Sequence, residues 1–269
     1  FSSGVFDCSD TGAEISYSSF SLTYMRNVRL LIEYDGTDYA GWQWQKNDRT
    51  IQETLSKAIG QVIQEPIKLY GASRTDAGVH AQGQVANFKT TSDIPSEQLL
   101  HAINFYLPHD ITIKNAADTT ESFHAQYGAK SKVYQYTLFN DWIRTSLNRN
   151  FCLVCGFRLD MDKMIEATKA IIGAHDFTSF TTKARCEKHR IRTVKKLDIT
   201  KEESYIYFTV EADGFLYNMV RTMVGTLIEV GRGKFTAERV KDILDAKNRG
   251  LSGPTAPAKG LCLIEVNYG

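Results

Sequence analysis

Arg74 and Asp76 stand two residues apart in Gly71-Ala-Ser-Arg-Thr-Asp-Ala-Gly-Val-His80, a stretch that runs on through Gly83. Runs suited to strands, 67–70 and 84–88, enclose it, which predicts a loop. Glycines there permit positive-φ turns and close approach of the backbone to a bulky ligand. Within such a loop a carboxylate supplies a nucleophile or a base, and a guanidinium supplies a cation. The commoner use of an Asp in a turn is to cap a backbone amide, with Arg74 as its ion-pair partner. Ser73, Thr75 and His80 complete the polar content.

Two more groups bear on chemistry. Residues 215–230 are apolar around most of a helical circumference, yet Arg221 falls in the middle of them. A guanidinium in that setting requires a carboxylate partner, because an unpaired buried charge costs several kcal/mol. Tyr134 and Tyr136 alternate as in a strand and share one face. Cys152, Cys155, Cys186 and His189 have spacing that superficially fits zinc, but residues i and i+3 of a strand point to opposite faces, so no metal site is expected.

The elements that must position these groups follow from periodicity. The first half reads as a strand at 28–34, a helix capped by Thr50 and running to 64, the two strands around the loop, a helix at 95–106 and a strand at 111–116. The second reads as a strand at 133–139, a helix at 160–172, strands at 192–200 and 205–212, helices at 215–230 and 236–246, and a strand at 261–266. The expected fold class is α+β: two related lobes, 25–125 and 126–269, each a mostly antiparallel sheet backed by helices, with a cleft between them. Residues 1–24 lack sustained periodicity and are expected to be a poorly ordered extension, outside both lobes.

At 269 residues and 42% hydrophobic, the chain can bury ordinary cores. It has no apolar stretch of about 18 to 20 residues, so no membrane partner is expected. Five scattered cysteines point to free thiols and a reducing, cytoplasmic setting. The net charge of +1 does not mark a nucleic-acid binder, but residues 183–196 hold seven basic residues against Glu187 alone. A smaller group, Lys130, Lys132, Arg144 and Arg149, flanks Tyr134. Clusters of this kind are either solvated surface or a phosphate-binding patch.

The run from Gly71 to Ala81 closely resembles the signature of the TruA family of tRNA pseudouridine synthases. Similar blocks occur in the family's order: Ile32-Glu-Tyr-Asp-Gly-Thr-Asp-Tyr-Ala-Gly-Trp42-Gln, Tyr134-Gln-Tyr136, His175-Asp-Phe-Thr-Ser-Phe180, Phe215-Leu-Tyr-Asn-Met-Val-Arg-Thr-Met-Val-Gly225 and Gly260-Leu261. The resemblance spans residue 25 to the C-terminus. It implies the pseudouridine synthase fold, with Asp76 as catalytic aspartate and Arg221 as its partner. It further implies that Tyr134 stacks on the target base, Arg74 displaces that base and Leu261 walls the pocket. It implies a homodimer without cofactor, acting on uridines 38 to 40 of the tRNA anticodon stem-loop. The rival reading is a non-catalytic RNA-binding protein, since strand-helix-strand lobes with surface aromatics also describe RNA-recognition folds.

Overall fold

Alternation in Arg26–Tyr34 buries Val28, Leu30 and Ile32 on one face and makes the first strand, β1. The computed structural model, which describes residues 25–183 and 189–269, continues with α1 (Ile51–Ile63), β2 (Tyr70–Gly71), β3 (His80–Thr90), α2 (Ser96–Tyr106) and β4 (Ile111–Thr119). The second half comprises β5 (Ser131–Phe139), β6 (Leu153–Val154), α3 (Met161–Thr168), β7 (Gly173–Asp176), β8 (Ile191–Glu202), β9 (Tyr205–Ala212), α4 (Met219–Gly231), α5 (Arg239–Ala246) and β10 (Leu261–Asn267). The expected extension at residues 1–24 lies outside the described residues, as does Cys186.

These strands form one ten-stranded sheet in the order β4-β1-β3-β10-β5-β9-β8-β7, with β2 on β3 and β6 on β5. The pairs are antiparallel except β3 with β10 and β5 with β6. The α+β class is therefore as expected, a mostly antiparallel sheet backed by helices. The last strand, β10, lies between the strands of the first half and those of the second. Its short parallel ladder, Cys262 to His80 and Leu263 to Ala81, joins both sets in one sheet. α1 packs on α2 and α2 on β4, while α3 packs on α4 and β8. None of the described helices is long and apolar enough to cross a membrane.

Helix limits depart from expectation where a local backbone feature overrides periodicity. α4 begins at Met219 rather than 215, because Asn218 adopts a left-handed conformation at φ 61° and breaks the turn. Arg221 is thus in the first turn of α4, not its middle. α3 stops at Thr168, four residues short, after which Lys169 N–H donates to Glu166 O in a tightened final turn. α5 starts at Arg239, whose N–H is taken by Thr236 Oγ1 at 3.3 Å. α1 is as read: Thr50 caps it by accepting from Glu53 N–H, and Gln64 closes it in the left-handed region.

Candidate active site

The loop between β2 and β3 is fixed by its neighbours. Gln84, fully buried on β3, accepts from Ser73 N–H at 3.1 Å and donates to Ser73 O at 2.7 Å. The turn after β1 clamps the other side: Trp42 N–H donates to Thr75 O at 3.0 Å, and Gly78 N–H to Tyr39 O at 3.2 Å. Gly41, at φ +100°, has to be glycine here, since a Cβ would sit 2.7 Å from Thr75 O. Thr75 Oγ1 and Tyr34 OH share a buried hydrogen bond of 2.7 Å. Asp76 is therefore displayed from a rigid turn.

Arg221 reaches Asp76 from the start of α4, with Nη1 3.5 Å from Oδ2. Both side chains are largely covered, at 17% and 15% exposure. The guanidinium is held independently as well: Nε donates to Ala256 O at 2.7 Å and Nη1 to Asn218 Oδ1 at 2.9 Å. Burial pushes the Asp76 carboxyl above the usual aspartate range. Arg221, Lys183 and the Asn218 backbone N–H oppose this without cancelling it. Arg221 moderates the shift rather than reversing it.

Tyr134 is 5% exposed; its hydroxyl shares a 2.8 Å hydrogen bond with Ser73 Oγ and its ring meets Phe215 edge-on at 5.2 Å. Burial, with the charge of Asp76 adding to it, raises its pKa well above the ordinary tyrosine range. At neutral pH the hydroxyl stays protonated. Leu261 opens β10 opposite Tyr136, and Arg74 is exposed. All five residues singled out from the sequence, Arg74, Asp76, Tyr134, Arg221 and Leu261, line one cleft of about 780 Å³.

Sequence reasoning missed two supports of this site. Ser73, read only as polar loop content, orients Tyr134, and Lys132, read only as part of a basic group, lines the cleft. The period-2 alternation that put Tyr134 and Tyr136 on one face was a signal for Lys132 too. His80 is not in the cleft. It is buried, with Nδ1 3.1 Å from Asp35 Oδ1 and Nε2 facing Asn150 O and Lys259 O at 2.9 and 3.2 Å. Trp42 is core, at 1% exposure.

The described members of the basic run take separate positions. Lys183 lines the cleft and its ammonium sits 3.9 Å from the Tyr217 ring centroid, whereas Lys196 pairs with Asp198 at 2.6 Å and Lys195 with Glu211 at 3.7 Å. Arg185 and Lys188 lie outside the described residues. Cys152 and Cys155 are buried on either side of β6, and among the described residues no three His, Cys, Asp or Glu side chains gather as metal ligands.

The tRNA pseudouridine synthase family matches residues 30–128 and 167–269. The chain is 49% identical over 244 residues to tRNA pseudouridine synthase A of Thermoanaerobacter sp. (strain X514), covering 91% of this chain and 100% of that protein. Proteins of the same name from Clostridium acetobutylicum and Acetivibrio thermocellus are 47% and 46% identical over the same shares.

Proposed function

The chain belongs to the tRNA pseudouridine synthase family, and we propose that it isomerises uridine to pseudouridine in tRNA with Asp76 as the catalytic group, at positions 38 to 40 of the anticodon stem-loop. The observation that carries this reading is the Asp76 carboxylate, held 3.5 Å from Arg221 in a cleft whose wall includes the buried ring of Tyr134. Isomerisation breaks the bond from C1′ to N1, turns the freed uracil, joins C1′ to C5, releases the C5 proton to solvent and leaves N1 to take one up. It needs no redox partner, and the reading includes no cofactor. An ionised Asp76 serves as nucleophile at C1′ or at uracil C6, or as base toward a sugar proton.

The uridine must first leave its helical stack, at a cost of a few kcal/mol. Arg74, exposed beside Asp76, is suited to take the vacated place, while Tyr134 and Leu261 offer an aromatic and an aliphatic wall to the base. Tyr134 is oriented by Ser73 and Phe215, so its ring is a fixed platform, and as a protonated phenol it donates or relays a proton rather than acting as a standing base. The same reading includes a cytoplasmic homodimer spanned by one tRNA, for which light scattering of the purified protein should give twice the chain mass.

Incubation with unmodified tRNA carrying tritium at uracil C5 tests the reaction. Release of tritium, with pseudouridine mapped to the anticodon stem-loop, is the expected result. Bound tRNA that keeps all its tritium would establish the rival, an RNA-binding protein without catalysis.

The electrostatics of Asp76 predict a pH profile. The reaction requires the carboxylate, so activity falls as pH drops through the pKa of Asp76, which burial has raised. The acid limb should lie above the range of a free aspartate. Arg221→Lys should move it little and Arg221→Met further up, because the group that opposes desolvation is then gone. Coincident acid limbs for all three proteins in kcat/KM against pH would show that Asp76 does not titrate in the rate.

A further inference from the structure

Two cations that line the cleft, Lys183 and Lys132, are left unused by this chemistry. Lys132 precedes Tyr134 by two residues on β5, so both side chains leave the same face of the strand, and both line the cleft. The acids around it are committed elsewhere. Asp76 faces Arg221. On β9, Glu211 accepts from Ser131 Oγ at 2.6 Å and pairs with Lys195 at 3.7 Å, and just past that strand Asp213 accepts from Thr193 N–H at 3.0 Å. The charged neighbour that acts on Lys132 is a second cation, Arg192 of β8.

Arg192 leaves the same face of the sheet: it stands two residues from Val194, which is aligned through Ala212 with Lys132. Its Nη1 donates to Ile191 O at 2.7 Å and to His189 O at 2.9 Å, and its Nε lies 3.3 Å from where a Cβ on Gly214 would stand. The missing side chain at 214 leaves that space to the guanidinium. Burial first, then the charge of Arg192, push the Lys132 ammonium down to about 8. Two like charges drawn together and partly out of water are a cost that an anion from outside would offset.

We propose that Lys132 and Arg192 form a phosphate seat beside the cleft, holding a backbone phosphate next to the uridine extruded toward Asp76. The seat rests on the reading of tRNA as substrate. It gives Lys132 and Arg192, one from each basic cluster, a shared role, which is to fix the sugar-phosphate backbone while the base enters the cleft.

The test measures affinity of the full chain for unmodified tRNA as a function of KCl and of pH, in the unaltered protein, Lys132→Met, Lys132→Arg and Arg192→Met. Each lost phosphate contact should reduce the slope of log affinity against log salt by about 0.7 to 0.9. Lys132→Met and Arg192→Met should each show that reduction, and Lys132→Arg should not. The unaltered protein should lose affinity as pH rises past about 8, where Lys132 gives up its charge, while Lys132→Arg stays flat. Because the half-buried ammonium is a burden on the folded state, Lys132→Met should melt no lower than the unaltered protein. A Lys132→Met protein with an unchanged salt slope, or a Lys132→Arg protein with the same alkaline loss as the unaltered one, overturns the seat while leaving tRNA binding intact. Absence of any salt-dependent binding by the unaltered protein would remove the tRNA reading and the seat together.

Discussion

Asp76→Asn should abolish pseudouridine formation while leaving the protein folded and its affinity for tRNA nearly unchanged. Asparagine keeps the volume and hydrogen-bonding reach of aspartate and loses only the charge; a neutral amide is neither a competent nucleophile nor a base, whichever chemical course operates. Product should fall below detection, a loss in kcat rather than in binding. If Asp76 were the sole partner of Arg221, the same substitution would also cost about 1 to 3 kcal/mol by stranding a buried guanidinium. The structure alters that expectation. Arg221 keeps its hydrogen bonds to Ala256 O and Asn218 Oδ1 when the carboxylate is gone.

The sign of the linkage points the same way. The folded-state pKa of Asp76 is raised above its unfolded value, so the group favours the fold below the unfolded pKa, and that contribution is lost as pH rises through the folded pKa. At neutral pH the charged carboxylate is therefore a cost, and Asp76→Asn should melt at or above the temperature of the unaltered protein. The difference should vanish in acid, where both side chains are neutral. A folded Asp76→Asn protein that still forms pseudouridine at a comparable rate would remove Asp76 from the catalytic role.

Why these residues are legible in the sequence, and others are not, follows from the range of the signals. Asp76 and Arg74 stand in a loop whose glycines are local conformational requirements, and Thr50 and Gln64 bound α1 by local capping, so neighbours in sequence carry the information. That Arg221 faces a carboxylate was legible from the apolar residues around it in sequence. Its place in the first turn of α4 was not, because Phe215 and Leu216 continue the helical spacing and only the left-handed Asn218 interrupts it. The insertion of β10 between β3 and β5 depends on contacts between residues more than a hundred positions apart, which periodicity does not encode. His80 illustrates the converse. It lies within the most distinctive run of the sequence, yet its work is to tie β3 to the turn at Asp35, and to the carbonyls of Asn150 and Lys259, at a second pocket.

The largest effect on stability is expected from a single methyl group on α4, one turn beyond Arg221, in Gly225→Ala. α4 is crossed at this point by the segment 252–257, and a Cβ on Gly225 would lie 1.7 Å from Pro254 O. The obstacle is backbone on both sides: a Cβ on Gly253 would in turn meet Thr226 N and Cα at 2.7 Å. The segment is anchored where it crosses, by Gly253 N–H donating to Thr226 Oγ1 at 3.0 Å and Ala256 N–H to Arg221 O at 3.1 Å. It cannot retreat without breaking them, so the substitution should cost about 3 kcal/mol or more, and lower the melting temperature by roughly 10 °C for a chain of this size. Gly60→Ala provides the contrast. Gly60 is in the interior of α1 with only Glu65 O near its Cβ position, at 3.5 Å, and there the same change should stabilise by about 0.5 to 1 kcal/mol. Activity links the crossing to the site: Ala256 O holds Arg221 Nε at 2.7 Å, so a displaced segment releases the partner of Asp76. Gly225→Ala should therefore lose kcat/KM even well below its own melting temperature, whereas Gly60→Ala should not. A Gly225→Ala protein with unaltered melting and unaltered kcat/KM would mean that the segment yields freely, and that the hold of Ala256 on Arg221 does not matter for the site.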